Sequence, residues 1–113
     1  FMRHFTPVQL QAYLQSVTEK NSEAPLLLDV REPWEYEHCH LDNSVLVPMQ
    51  QVPDYADNGK LKANEEIVVI CHHGIRSKQV AQYLETVGFT NLINLTGGVA
   101  AWAYEVDPKM KRY

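Results

Sequence analysis

The sequence predicts an α/β fold in which a mostly parallel sheet is covered by helices on both faces. The alternation of elements along the chain and the bulk composition support this prediction. Short apolar runs rich in β-branched residues alternate with helical patterns along the chain, and strands that alternate with helices need crossover connections, which give parallel pairs. The length of 113 residues and the hydrophobic content of 45% suit one core, so we expect a single domain over residues 1–113.

The first helix is predicted over residues 7–17. Thr6, followed by Pro7 and then by Gln9, matches a capping box with proline at the first helical position. The apolar residues that follow fall on one helical face: Leu10, Tyr13, Leu14 and Val17. After a polar stretch, the run LLLDV indicates a strand over residues 26–30 that is buried on both faces.

Three short elements are predicted in the middle of the chain. A helix is expected to start at Pro33, because proline suits the first helical turn. The run SVLVP indicates a strand over residues 44–48, and a short helical piece follows over residues 49–55. The tripeptide DNG at residues 57–59 is a turn signal that closes this part of the chain.

The last part of the chain repeats the same alternation. The run IVVI predicts a buried strand over residues 67–70 that leads directly into Cys71. A helix follows whose apolar residues recur at helical spacing: Val80, Leu84 and Val87. Gly88 is a good stop for this helix, a strand is predicted over residues 91–95, and a short helix follows the glycine pair at residues 97–98.

Composition and charge exclude several classes of function. The net charge is −4 and no long run of basic residues occurs, so we expect no nucleic-acid partner. The apolar runs are too short to span a bilayer, and no signal-peptide pattern is present, so we expect a cytoplasmic protein without a membrane partner. The two cysteines, Cys39 and Cys71, lack the dense spacing of a disulfide scaffold and should be free thiols in a reducing compartment.

Polar residues stand at the ends of two predicted strands. Asp29 and Arg31 end the strand over residues 26–30, and Cys71 ends the strand over residues 67–70. In parallel sheets, ligands bind outside the carboxyl ends of the strands, because loops and helix N-termini converge there. We therefore expect these three residues to face one site.

The segment CHHGIRS, residues 71–77, lies between a buried strand and the start of a helix. Backbone N–H groups at a helix start are unpaired, and the helix dipole adds partial positive charge, so this segment can surround an anion. We expect the N–H groups, together with Arg76 and Lys78, to favour the thiolate of Cys71. Gly74 can adopt the positive φ that a tight turn around a small ligand requires.

The residues leave three interpretations of Cys71: a buried small hydrophobe, a metal ligand or a nucleophile. The metal interpretation would need Cys71, His72 and His73 to reach one ion, which adjacent loop residues rarely do, and the spacings typical of zinc sites are missing. We therefore expect no metal site and place the two histidines at the rim of a pocket, where they add positive charge below neutral pH. Cys39 is expected to be a packed residue rather than a second reactive thiol.

Three segments, in this order, resemble the single-domain rhodanese family of sulfurtransferases: LLLDVREPWEYEHCHLDNSVLVP, CHHGIRS and LTGGVAAW. The resemblance implies a rhodanese-like fold with a five-stranded parallel sheet and with Cys71 as the sulfur-carrying nucleophile. It assigns Asp29 and Arg31 a supporting structural and electrostatic role. It also implies that the sulfur donor is bound by the loop, through the backbone amides and the Arg76 side chain, at six positions: His72, His73, Gly74, Ile75, Arg76 and Ser77.

The resemblance also implies the activity of a thiosulfate sulfurtransferase. Cys71 would take a sulfur atom from thiosulfate or a persulfide donor and pass it to cyanide, a thiol or a sulfur-relay protein, without a metal or organic cofactor. Two alternatives stay open at this point. A phosphatase or arsenate reductase would use the same cysteine at an anion site, although cysteine phosphatases usually have five residues between cysteine and arginine and this chain has four. A non-catalytic rhodanese-like binding module is the other alternative, although such modules often lack the cysteine.

Overall fold

The computed structural model describes residues 2–113, and these residues form an α/β fold around one parallel sheet. The five strands are β1 (Met2–Phe5), β2 (Leu26–Asp29), β3 (Ser44–Leu46), β4 (Ile67–Ile70) and β5 (Leu92–Leu95). Their order across the sheet is β1-β5-β4-β2-β3, and every neighbouring pair is parallel. The predicted fold class is therefore confirmed.

Residues 2–113 contain five α-helices, of which the first four connect successive strands and the fifth follows β5: α1 (Pro7–Glu19), α2 (Pro33–His38), α3 (Val52–Asp57), α4 (Ile75–Thr86) and α5 (Gly98–Glu105). The predicted capping box of α1 is present, since Thr6 Oγ1 accepts from the Gln9 N–H and the Gln9 side chain accepts from the Thr6 N–H. A 3-10 turn, Met49–Gln51, precedes α3 in the region that we predicted as one helical piece.

Strand β1 was not predicted from the sequence. It is four residues long, and its sequence MRHF contains no apolar run, in keeping with the exposure of its two inner residues. It pairs in register with β5, from Met2 opposite Leu92 to Phe5 opposite Leu95. The strand forms because β5, far along the chain, supplies its hydrogen-bond partners. A local sequence pattern does not indicate pairing over such a distance.

The core lies on both faces of the sheet, as the continuous apolar run of β4 predicts. Ile67 and Val69 pack on one face in a cluster that includes residues of α4, whereas Val68 and Ile70 pack on the other face with residues of α1 and α5. All four side chains of β4 are fully buried. Since β4 is the central strand, its carboxyl end brings Cys71 to the middle of the sheet edge.

None of the helices within residues 2–113 combines the length and the apolar character that crossing a membrane requires.

Candidate active site

The site lies at the carboxyl edge of β2 and β4, as predicted. These two strands are neighbours, and Asp29 at the end of β2 stands opposite Ile70 at the end of β4. Arg31 follows β2 and Cys71 follows β4, so the two residues lie at neighbouring places along this edge of the sheet. Both residues are buried. The structure thus brings together the strand-end residues that the sequence singled out.

The loop between β4 and α4 turns tightly around the sulfur of Cys71. Gly74 precedes the first residue of α4 and has a φ of +93°, which confirms the predicted positive-φ turn. Its backbone N–H donates to Cys71 Sγ at 3.1 Å. A side chain at Gly74 would meet the backbone of Gly97, so glycine is also required here by space. The thiol of Cys71 therefore lies beside the N-terminus of α4 and accepts a backbone N–H of the loop.

A second glycine turn holds the loop from the other side. Gly98 begins α5 with a φ of +59°, and a Cβ at this position would overlap the carbonyl oxygens of Cys71 and His72. The N–H groups of Val99 and Ala100 donate to these same two carbonyls at 2.9 and 3.0 Å. The first turn of α5 therefore fixes the path of the loop by direct backbone contact.

Ser77 lies in the first turns of α4 and is fully buried. Its Oγ is 3.3 Å from Cys71 Sγ, and its hydroxyl donates to Asn94 Oδ1 on β5 at 2.5 Å. Ser77 therefore contacts the sulfur of Cys71 through its side chain, whereas the binding of a donor by its backbone amide, which the resemblance implied, stays a prediction.

Arg76 forms a two-pronged ion pair with Glu35 of α2. The two terminal nitrogens of Arg76 donate to the two carboxylate oxygens of Glu35 at 2.8 and 2.9 Å. The hydrogen bonds from Arg76 lower the pKa of Glu35 from 4.5 to about 2, and the same bonds raise the pKa of Arg76. Arg76 therefore ties α4 to α2, and its direct contact with a sulfur donor stays a prediction.

Arg31 is the centre of a buried polar network that supports the loop. Its guanidinium donates to both carboxylate oxygens of Asp29, at distances between 2.7 and 3.1 Å, and to the carbonyl oxygen of Cys39 at 2.6 Å. Although burial opposes the charge, the hydrogen bonds to Asp29 and Tyr113 raise the pKa of Arg31 above its ordinary value. The hydrogen bonds of Arg31 go to Asp29 and to the chain around Cys39, and the supporting role of Asp29 and Arg31 in the site stays a prediction.

Tyr113 closes one side of this network. Its hydroxyl donates to Glu35 Oε2 at 2.7 Å and accepts from Arg31 at 2.8 Å, and its ring stacks on the ring of His72 at 3.9 Å. Burial raises the pKa of Tyr113, so its hydroxyl keeps its hydrogen at neutral pH. The tyrosine therefore connects the polar network to the side of the active-site loop.

The two loop histidines have different surroundings. The ring of His72 lies between the rings of His73 and Tyr113, whereas His73 is exposed. Burial, with a smaller contribution from His73, lowers the pKa of His72 below its ordinary value. The side chain of Ile75 extends into solvent, with 68% exposure, so it does not pack against the sulfur of Cys71. Within residues 2–113, no three His, Cys, Asp or Glu side chains are grouped so that they could hold a metal ion.

Cys39 is a half-buried free thiol, 3.9 Å from a guanidinium nitrogen of Arg31. It lines a cavity of about 240 Å³ together with His72, Tyr113 and residues of α5. The thiol is therefore packed against the supporting network, as predicted.

A family model for the rhodanese-like domain matches residues 10–105 of the chain. The chain belongs to the rhodanese family. It is 38% identical over 89 residues to the rhodanese-like/PpiC domain-containing protein 12 of Arabidopsis thaliana, with 77% of the chain and 30% of that relative covered. The chain therefore spans less than a third of the length of this relative.

Other relatives of this rhodanese domain carry names from sulfur chemistry. A putative sulfur carrier protein, YrkF of Bacillus subtilis, is 37% identical over 100 residues, with 88% of the chain and 52% of the relative covered. The thiosulfate sulfurtransferase GlpE of Vibrio cholerae is 28% identical over 101 residues, with 89% of the chain and 91% of the relative covered. A rhodanese-like domain protein from Staphylococcus aureus superposes with a TM-score of 0.78 at 28% identity, over 99% of both chains. The names of these relatives support the sulfurtransferase class, and the solved structure supports the rhodanese-like fold.

Three residues of this rhodanese site were missed in the sequence: Glu35, Asn94 and Tyr113. Glu35 had the clearest sequence signal, because it lies four residues after Arg31 and three after Glu32. In the structure Arg31 donates to the Glu35 carbonyl oxygen, and the Glu32 N–H donates to the Glu35 carboxylate. Asn94 was visible only as a polar residue inside an apolar strand. Tyr113 lies in a polar tail without periodicity, and no sequence signal pointed to its contacts.

Proposed function

We propose that the chain is a sulfurtransferase that moves a sulfane sulfur through a persulfide on Cys71. The donor is thiosulfate or a persulfide, and the acceptor is a thiol or cyanide. The observation that carries the proposal is the placement of the Cys71 sulfur: it is buried, lies at the N-terminus of α4, and accepts the Gly74 N–H at 3.1 Å.

The proposed reaction has two displacement steps. In the first, the Cys71 thiolate attacks the outer sulfur of thiosulfate, the S–S bond of thiosulfate breaks, and sulfite leaves with the bonding electron pair. In the second, the acceptor attacks the terminal sulfur of the Cys71 persulfide, and the Cys71 thiolate is released. With cyanide the product is thiocyanate, and no external oxidant or reductant is consumed in either step.

The loop suits a sulfur atom with negative charge. The terminal sulfur of the persulfide extends from Cys71 toward the backbone of residues 72–77, where N–H groups at the start of α4 stabilise the charge. Gly74 permits this close approach because it carries no side chain. Arg76 adds positive charge beside the loop, although its ion pair with Glu35 offsets much of that charge.

The phosphatase alternative is less well supported by the same geometry. Arg76 already donates both terminal nitrogens to Glu35, but thiosulfate is a tetrahedral anion like phosphate, so this ion pair affects both substrates alike and the loop size has to distinguish them. Four residues separate Cys71 from Arg76, which makes a smaller loop than the five of cysteine phosphatases. We therefore keep the sulfurtransferase as the proposed function.

A protein thiol is an appropriate acceptor in this proposal. Relatives of the chain are named as a sulfur carrier protein and as adenylyltransferases joined to sulfurtransferases. The exposed side chains of His73 and Ile75 border the loop, so a partner can reach it from solvent. We propose that the sulfur passes to a thiol of such a relay protein.

Intact-mass measurement after incubation with thiosulfate tests the proposal. The wild type and Cys39→Ser should each gain one sulfur atom, and Cys71→Ser should gain none. Subsequent addition of cyanide should remove the added sulfur and release thiocyanate. Equal gain in Cys71→Ser, or release of phosphate from an aryl phosphate faster than any sulfur transfer, would exclude the proposed function.

A further inference from the structure

A buried chain of hydrogen bonds leads from the sulfur of Cys71 into the sheet. Cys71 Sγ lies 3.3 Å from Ser77 Oγ, and the Ser77 hydroxyl donates to Asn94 Oδ1 at 2.5 Å. The exposed fractions of Ser77 and Asn94 are 0% and 4%. Both side chains are therefore shielded from bulk water. The hydrogen bond between them satisfies the hydroxyl hydrogen of Ser77 and the side-chain oxygen of Asn94.

Asn94 is unusual for its position, because the other residues of β5 are apolar and the whole strand is buried. An amide in such a place is costly unless its donor and acceptor are both used. Its Nδ2 lies 3.4 Å from Nδ1 of His4, the residue opposite it on β1. With the nitrogen directed at His4 as acceptor, the oxygen of Asn94 is directed at Ser77.

The hydroxyl of Ser77 has one hydrogen, and two atoms compete for it. Asn94 Oδ1 takes it over the shorter distance, which leaves the Ser77 oxygen free to accept the hydrogen of the Cys71 thiol. When Cys71 becomes a thiolate, its sulfur keeps the donor N–H of Gly74 but receives no hydrogen from Ser77. The Ser77 hydroxyl is therefore a neutral donor that lies close to the thiolate but does not donate to it.

We propose that Asn94 is a positioning residue for Cys71, which holds the Ser77 hydroxyl hydrogen away from the sulfur and so preserves the nucleophilicity of the thiolate. A thiolate that is stabilised less by hydrogen bonds is a stronger nucleophile. The role rests on the proposed function, because it matters only if Cys71 attacks a sulfur donor. Its test uses alkylation and needs no donor, so the two proposals can fail separately.

Other charged groups near Cys71 come from each element around the loop. Arg76 of α4 interacts electrostatically with Cys71 and is paired with Glu35 of α2. His72, next in the loop, interacts with Arg31, which follows β2. The variants below leave all of these groups, and also the titratable His4, in place. Comparing the wild type with each variant at the same pH therefore cancels the contributions of these charged groups to the alkylation rate.

The experiment measures the rate of iodoacetamide alkylation from pH 5 to pH 10, with the Cys71 peptide scored by mass to separate it from Cys39. Asn94→Leu keeps the approximate volume but offers no acceptor, so the Ser77 hydroxyl turns to the thiolate. The pH of half-maximal rate should fall by about one unit, since a hydrogen bond to a charged group is strong. The limiting rate at high pH should fall about threefold, because nucleophilicity decreases with basicity. The two profiles should cross.

Two matched variants separate this mechanism from a general disturbance. In a Ser77→Ala background, Asn94→Leu should change neither the midpoint nor the limiting rate, because no hydroxyl hydrogen is left to redirect. Asn94→Asp retains an acceptor oxygen and should not lower the midpoint. If Asn94→Leu does not fold, as judged by circular dichroism, Asn94→Ala replaces it with the same expectation. An unchanged or raised midpoint in Asn94→Leu, or an equal shift with and without Ser77, would refute the positioning role.

Discussion

Replacement of Glu35 by glutamine removes the carboxylate that joins α2 to α4 and to the chain end. Glu35 accepts two hydrogen bonds from Arg76, one from the Glu32 N–H and one from the Tyr113 hydroxyl, at distances from 2.7 to 2.9 Å. The side chain is 5% exposed, so water cannot replace these partners. Glutamine keeps the shape but replaces one carboxylate oxygen by an N–H₂ group, so one of the donors of Arg76 or Tyr113 loses its acceptor.

The expected magnitude follows from the pKa of Glu35. Its lowering from 4.5 to about 2, caused first by the hydrogen bonds from Arg76, corresponds to stabilisation of the folded state by about 3 kcal/mol at pH 7. We expect Glu35→Gln to lower the free energy of unfolding in urea by about that amount. Glu37→Gln is the matched control, because Glu37 is exposed on the same helix and should lose less than about 0.5 kcal/mol.

The pH dependence gives the stricter test of this reasoning. A carboxyl with a lowered folded-state pKa stabilises the protein above its unfolded value of 4.5, and this stabilisation is lost as the pH falls toward 2. The difference between wild type and Glu35→Gln should therefore narrow by about 2 kcal/mol between pH 7 and pH 3. A difference below about 1 kcal/mol at pH 7, or one that does not change with pH, would show that the ion pair does not stabilise the fold as argued.

Two further predictions concern the loop. Gly98→Ala should destabilise the protein by about 2 kcal/mol more than Gly59→Ala in thermal unfolding, because both have positive φ but only a side chain at Gly98 meets the backbone of Cys71 and His72; equal losses would contradict the contact. The NMR titration midpoint of His72 should lie below 6.5, because burial lowers its pKa, and the free energy of unfolding should decrease as the pH falls from 6.5 through that midpoint. A midpoint at or above 6.5 would contradict the burial of its ring.

Most of the fold could be predicted because its signals are local. The buried run of β4 and the capping box of α1 depend on neighbouring residues, and both occur where the sequence placed them. Strand β1 could not be predicted in this way. Its four residues acquire a strand conformation from pairing with β5, about ninety residues along the chain, and its exposed residues leave no apolar pattern.

The same division applies to the candidate site. The segment from Cys71 to Ser77 is a single turn between a strand and a helix, so the positive-φ glycine and the place of the cysteine could be predicted locally, whereas the role of Cys71 as nucleophile came from the resemblance to the rhodanese family. The partners of that segment could not. Glu35 is 41 residues from Arg76, and Tyr113 is 78 residues from Glu35, so only packing of the helices and the chain end brings them together.

Local patterns specify three features: the alternation of strands and helices, the position of Cys71 at the end of a buried strand, and the glycine turn after it. Each of these follows from backbone preference and burial over a few residues. The donors around the sulfur, and the group that each donor binds, depend instead on how distant elements pack together. Arg76 is neutralised by Glu35, and the hydroxyl of Ser77 is held by Asn94. Those assignments depend on distances between elements, which no local pattern specifies.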